Sequence, residues 1–306
     1  MSQSQGLRIP AVQGIFVANL VAQAGIVVTG AVVRITGSGL GCPTWPECVE
    51  GSVLPTADQP EAFHKYIEFG NRLLTFVLVI LAVAAIVAAL WDRRARRAGG
   101  LPGRPVILVL ALVPILGTVA QAVLGGVTVL TGLNPLTVSS HFLVSMAIVA
   151  GCVALVVRYR DPGDRPVTAL VPRPVAVLSW LVLAVSGLVV LLGVVVTGSG
   201  PHSGDAEADG RFPFDPRTVS WLHADVVLLF LGLTVGLLVA LSVVSSPRPA
   251  VRRTWLLLIV SLAQGLVGYV QYFAGLPEVI VGIHVLGATL VWIAALFVPP
   301  AMRSRG

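Results

Sequence analysis

Apolar residues run along this chain of 306 residues in long stretches, separated by short segments that carry nearly all of the charge. A helix rises 1.5 Å per residue, so about 20 apolar residues match the roughly 30 Å hydrocarbon core of a bilayer. Eight such spans are read, at roughly 11–33, 63–90, 105–130, 137–158, 174–197, 217–245, 254–273 and 279–300. The pattern predicts an all-α membrane protein with eight transmembrane helices.

Composition agrees. The chain is 56% hydrophobic and 11% charged, with a mean hydropathy of +0.92; a soluble domain carries about 25% charged residues. The charges alternate by loop. Five of the 20 basic residues (Arg34, Lys65, Arg72, Arg211 and Arg217) fall on one side, with most of the acids. The others, including Arg8, Arg93–Arg97, Arg104, Arg158–Arg173, Arg248–Arg253, Arg303 and Arg305, fall on the other. The positive-inside rule places that side, and both termini, in the cytoplasm. The net charge of +6 therefore reflects orientation, and no nucleic-acid binding is read from it. Ala22-Gln-Ala24 resembles a signal-peptide cleavage site, but one arginine precedes it and the apolar run continues to Val33. The first span is expected to be retained, and with no Arg/Ser-rich leader the expected location is a bacterial plasma membrane.

The spans repeat. Gln121, Gly125, Gly132-Leu133 and His141 recur as Gln264, Gly268, Gly275-Leu276 and His284, each 143 residues further on. Thr36-Gly-Ser-Gly39 after the first span is echoed by Thr197-Gly-Ser-Gly200 at the end of the fifth. Four helices per copy means that both copies enter the membrane in the same direction. The expectation is two four-helix bundles, residues 1–160 and 161–306, related by a pseudo-twofold along the membrane normal. The turn-rich segment Arg158–Pro166 would link them.

Histidines within a bilayer are costly and usually functional. The even-numbered spans all run inward from the outer face. His141, His223 and His284 each lie six residues past Pro135, Arg217 and Glu278, about 9 Å into their helices. Histidines at one depth on neighbouring helices give the geometry for axial ligation of a haem iron, and His223 with His284 forms the natural pair of the second half. Interhelical hydrogen bonding is the plainer alternative. In the first half, His64, Glu68 and Asn71 share one helical face. Glu68 is a candidate proton acceptor, or an ion-pair partner of Arg72 at i+4.

The first outer loop reads Gly39-Leu-Gly-Cys42-Pro-Thr-Trp45-Pro-Glu-Cys48. Two cysteines in a proline-stiffened loop on the oxidising side favour a disulfide, either a structural staple or a redox-active pair. Cys152 is expected to be a packing residue, and His202 a loop histidine with a transient haem contact as the sharper reading.

Together these motifs resemble the haem A synthase family over nearly the whole chain. The resemblance rests on Thr36-Gly-Ser-Gly-Leu-x-Cys42-Pro-x-Trp45-Pro-x-Cys48, the Glu68 helix, Leu124–Leu133 leading to His141, Thr197–Asp205, His223 and His284. It implies oxidation of the C8 methyl of haem O to a formyl group, with oxygen from water and electrons relayed through a haem b. His223 and His284 would ligate that haem b iron, and His141 and Glu68 would serve the haem O substrate. It further implies a haem O synthase (a farnesyltransferase) as supplier, a haem-copper oxidase as recipient and a lipid setting; the oligomeric state, a homo-oligomer included, stays open in the sequence. The family commonly carries Glu-x-x-His-Arg on the second span, whereas this chain reads Glu68-Phe-Gly-Asn71-Arg72. Asn71 is a poor iron ligand, so the substrate iron is expected on His141 alone or with His64. The same histidines would also serve a dihaem cytochrome that exchanges electrons with quinone, or a haem carrier for oxidase assembly.

Overall fold

The computed structural model describes residues 8–201 and 210–305. Nine α-helices are found among them: α1 Pro10–Ile35, α2 His64–Ala98, α3 Pro105–Ala111, α4 Val113–Leu130, α5 Pro135–Arg160, α6 Arg173–Ser199, α7 Pro216–Val243, α8 Arg248–Phe273 and α9 Glu278–Leu296. With α3 and α4 taken as one broken span, eight helical spans are long and apolar enough to cross a membrane.

The departures from the read spans have local causes. The helix α2 runs on to Ala98 because Asp92 and Arg96 form an i,i+4 ion pair at 2.8 Å, and no breaker appears before Gly99 and the left-handed Gly100. The third span breaks at Leu112, just ahead of Pro114, which has no amide to donate and clashes with the preceding turn. The linker is shorter than read, since α5 continues to Arg160. Beyond it, β1 (Val167–Ala169) pairs antiparallel with β2 (Arg303–Arg305), tying the linker to the C-terminal segment. Three-residue strands carry too little pattern to be seen in sequence.

The helices close into two rings. In one, α1 packs on α2, α2 on α4, α4 on α5, and α5 back on α1; in the other, α6, α7, α8 and α9 follow one another and α9 returns to α6. Helices α1 and α5 meet α9, and α5 also meets α6; Trp292 of α9 donates its indole N–H to the Met146 carbonyl of α5 at 3.0 Å.

Both apolar cores lie toward the basic end. One gathers Val12, Phe16, Ala85, Ile107, Val149 and Tyr159, with the Phe16 and Tyr159 rings edge to face at 5.2 Å. The other gathers Val182, Phe230, Leu237, Leu257 and Val298. Polar groups close off this end. The Tyr159 hydroxyl, inside the fully buried Tyr159, accepts the Ile9 amide at 3.0 Å and donates to Asp92 at 3.3 Å, while Arg104 pairs with Asp164 at 3.2 Å. Burial pushes the Arg104 guanidinium below its ordinary pKa, and Asp164 opposes that shift.

Candidate functional site

Away from the basic end the rings loosen. No residue of α7 is buried between Val219 and Phe230, none of α8 beyond Ser261, and none of α9 before Thr289. In the first ring, α2 buries nothing between Glu68 and Leu78, and α5 nothing between Ser139 and Met146. The three span histidines stand in these intervals. The Nδ1 atoms of His141 and His284 are buried without a hydrogen-bond partner, while His223 has the Val189 backbone within reach.

Each imidazole lies against a glycine of the preceding span. A Cβ on Gly125 would stand 3.3 Å from Cε1 of His141, one on Gly193 3.3 Å from Cε1 of His223, and one on Gly268 3.2 Å from Cε1 of His284. These contacts are tighter than the 3.5–4.0 Å at which carbon atoms rest. Glycine lets the Nδ1–Cε1 edge of the ring approach the neighbouring backbone.

The repeat is written into the local geometry. Gln121 donates to the His141 carbonyl and Gln264 to the His284 carbonyl, both at 2.8 Å; Gln121 also donates to the Ser145 hydroxyl. Helices α4 and α8 end alike. Gly132-Leu133 and Gly275-Leu276 are both left-handed pairs, and the leucine amides donate back to the Thr128 and Gln271 carbonyls. A left-handed leucine costs about 1–2 kcal/mol, and the same strained turn at both sites sets the entry of the following histidine helix.

His223 and His284 stand on α7 and α9, both of which pack on α8 and on α6. Asn71, seven residues into α2 as His223 is into α7, instead accepts a hydrogen bond from the Thr29 hydroxyl at 2.7 Å. Val32 stands four residues before Thr36, where Gly193 stands four before Thr197.

His64, Glu68 and Asn71 do share a face of α2, which turns toward α1 and the loop that follows it. His64 Nδ1 is 2.8 Å from the Ser38 hydroxyl, so this ring is engaged at the loop mouth, stacked on Phe63. Buried Glu68 accepts the Cys42 amide at 2.6 Å on one oxygen and two Arg72 N–H groups, at 2.6 and 3.1 Å, on the other. Arg72 also donates to the carbonyls of Cys42 at 2.8 Å and of Thr44 and Glu47 at 3.1 Å. The ion pair is thus a clamp on the loop backbone, a role that the i+4 spacing hints at without showing the loop as its object. Cys42 and Cys48 are disulfide-bonded and fully buried. Trp45, at the loop tip, lies on Gly126 of α4, where a Cβ would collide with the indole. The loop therefore caps the first ring from α1 across to α4.

Lys65 is a further strut that sequence reasoning missed; its ammonium donates to the Thr56 carbonyl at 2.6 Å. Cys152 is buried beside Asn19, as a packing residue should be. His202 and Asp205 lie outside the described residues.

Three dispersed imidazoles, two of them in the same ring of helices, suit an iron that takes its equatorial donors from a porphyrin and needs axial ligands alone. Among the described residues, no three His, Cys, Asp or Glu gather as a cluster that could hold a bare ion. With the Nδ1 edge of each ring turned to a glycine, Nε2 is left to serve as ligand, and this together with the loosened outer halves fits haem.

Relatives point the same way. The chain is 34% identical over 148 residues to "Heme A synthase" of Geobacillus thermodenitrificans, a match covering 47% of this chain and 41% of that protein. It is 35% identical over 116 residues to the protein of that name from Geobacillus kaustophilus (38% and 32%), and 26% over 198 residues to that of Shewanella oneidensis (58% and 53%). The chain thus aligns with about a third to a half of the length of these relatives. The family model described as COX15-CtaA, cytochrome oxidase assembly protein, matches residues 14–203, more than half of the chain, and the chain belongs to that family.

Proposed function

We propose that this protein is a haem A synthase, converting haem O to haem A in a multi-pass arrangement with both termini cytoplasmic. The observation that carries the reading is the repeated glycine-backed histidine in the loosened half of each ring. The relatives' printed name supports it. The two rings act as pseudo-twofold-related bundles with different tasks, residues 1–160 holding substrate and residues 161–306 holding cofactor.

In the second bundle His223 and His284 would hold haem b through their ring nitrogens, with Gly193 and Gly268 fixing the ring planes. Haem b when bound supplies a one-electron carrier. In the first bundle His141 holds the haem O iron, Gln121 anchors the His141 backbone, and Asn71 leaves the opposite face without a strong ligand. Conversion of the C8 methyl to formyl consumes one water and releases four electrons and four protons. Glu68 stabilises positive charge developing at that carbon and accepts a proton. Arg72 holds the carboxylate in place. The disulfide loop, clamped by the same pair, shields the reacting edge from bulk water. A haem O synthase would supply the substrate and a haem-copper oxidase receive the product.

One observation favours a second reading, a dihaem electron-transfer cytochrome: both Glu68 oxygens are engaged in the clamp. Pigment extraction decides. Cells making haem O together with this chain should yield haem A, heavier than haem O by the mass of one oxygen less two hydrogens. Haem b and unchanged haem O alone would refute the synthase.

A further inference from the structure

The two arginines at the outer end of the first bundle are treated very differently. Arg72 is saturated by Glu68 and three loop carbonyls. Arg34, in the last turn of α1, forms no ion pair or side-chain hydrogen bond among the described residues, and its Nε is buried. A guanidinium has five donors and stays charged. The residue as a whole is half-buried, but an Nε–H taken out of water with no acceptor is costly, and an anion joining the guanidinium would relieve that cost.

Its direction follows from the helix. Gln23 of α1 reaches across the first ring and donates to the Thr118 hydroxyl of α4 at 3.1 Å. Arg34 lies eleven residues on, about 20° from that direction at 100° per residue. Val32, 40% exposed on the outer surface of α1, points roughly 160° away from Arg34. Arg34 therefore faces the ring interior. It also lies five residues, about 7.5 Å, outward of Thr29, which is level with Asn71 through their hydrogen bond. The position equivalent to Arg34 in the second half, two residues before the repeated Thr-Gly-Ser-Gly, is Val195.

We propose that Arg34 is the carboxylate-binding residue of the first bundle, pairing with a propionate of the haem substrate and turning the propionate edge toward the outer face. This rests on the haem O reading above and adds to it the orientation of the substrate. A porphyrin between these helices has an anionic edge and an apolar body. The interior-facing guanidinium supplies the complement of that edge at one level, and His141 supplies the iron ligand further in. A phospholipid phosphate offers similar anionic oxygens, but it would approach from the side that Val32 occupies.

The test is a spectral titration of the full-length protein in nanodiscs with haem O as the free acid and as its dimethyl ester. Wild type should prefer the acid by about 10- to 100-fold, the range for a charge-assisted hydrogen bond. Arg34→Gln should bind both forms as weakly as wild type binds the ester, and Arg34→Lys should keep part of the preference. An unchanged b-type spectrum from the second bundle reports that the variants fold. If Arg34→Gln keeps the acid preference, or wild type has none while still making haem A, the Arg34 assignment falls alone. If wild type neither binds haem O nor makes haem A, the underlying reading falls. A third arm compares phosphatidylglycerol with phosphatidylcholine discs. Loss in Arg34→Gln of an anionic-lipid dependence, with the acid preference intact, would assign the residue to lipid and overturn the proposal.

Discussion

The glycine behind each histidine gives the sharpest quantitative expectation, and α8 contains its own control. In Gly268→Ala the new methyl stands 3.2 Å from Cε1 and 3.6 Å from Nδ1 of His284. Relief requires the ring to retreat by a few tenths of an ångström, and overpacking of this kind costs about 1–3 kcal/mol. Alanine in place of glycine returns up to about 1 kcal/mol of helix propensity, so fold stability should change little. The displaced ring bears the penalty, since a ligand must be held within about 0.5 Å of its productive position. Haem b affinity should therefore fall by roughly 5- to 100-fold. Gly265, one turn away on the same helix, has nothing within 4 Å of the place a methyl would take. Gly265→Ala should keep full haem and, if anything, melt higher. The assay is haem per protein by the pyridine haemochrome method, with thermal unfolding measured on the same samples. Equal haem loads and identical spectra for the two variants would refute the ring-backing argument.

Glu68→Gln removes the charge opposite Arg72 while keeping the shape. It should cut haem A production by at least about 100-fold, in the range of a lost acid–base group, and full production by pigment extraction would exclude a catalytic role. Arg72→Leu strands a buried carboxylate and frees three loop carbonyls, so destabilisation of roughly 3–5 kcal/mol is expected. It should appear as faster reduction and maleimide labelling of Cys42 and Cys48. Asn71→His should place a second imidazole in the first bundle, shifting its haem toward a six-coordinate low-spin spectrum and slowing turnover; an unchanged spectrum would show that Asn71 does not face the iron. At the start of α7, Asp215 accepts the Thr218 hydroxyl and amide, which hold its pKa below the ordinary value of 3.8. That cap contribution is present above the ordinary value and disappears as pH falls through the lowered one. Amide exchange at Thr218 should accelerate over that acid range, and it should be insensitive to acid in Asp215→Ala.

Much of this arrangement is legible in the sequence because the bilayer imposes it. Span length, loop charge and the 143-residue repeat are consequences of a fixed hydrocarbon thickness and a duplicated helix pattern, and the structure has eight spans where the apolar runs predict them. Glu68 and Arg72 are legible as a helical pair, but their target is not, because their contacts reach loop backbone 25 to 30 residues away that no periodicity encodes. The break at Leu112 and the short β1–β2 pair depend on one proline and six residues. Arg34 is legible only as a basic residue on the acidic side. Its significance comes from having no partner among the described residues, which sequence cannot display.

The comparison of the halves explains why one bundle would hold a haem as cofactor and the other as substrate. A resident haem needs two good ligands and an environment that does not react with it; the second bundle offers His223 and His284, with Val195, Ser220 and Ala224 where the first has Arg34, Glu68 and Arg72. A substrate haem must be oriented, attacked at one carbon and released. The first bundle has one glycine-backed histidine, carries Asn71 where the second has His223, and gains three ionic groups at its outer end. On the proposed reading, weaker iron ligation would lower the barrier to release, and the charges would supply the orientation that a second ligand would otherwise give. On that reading the ionic trio and the missing histidine would be two sides of one division of labour. Introducing Asn71→His and Arg34→Gln together should move the first bundle toward a second resident-haem site, with bound haem retained on purification and little haem A formed.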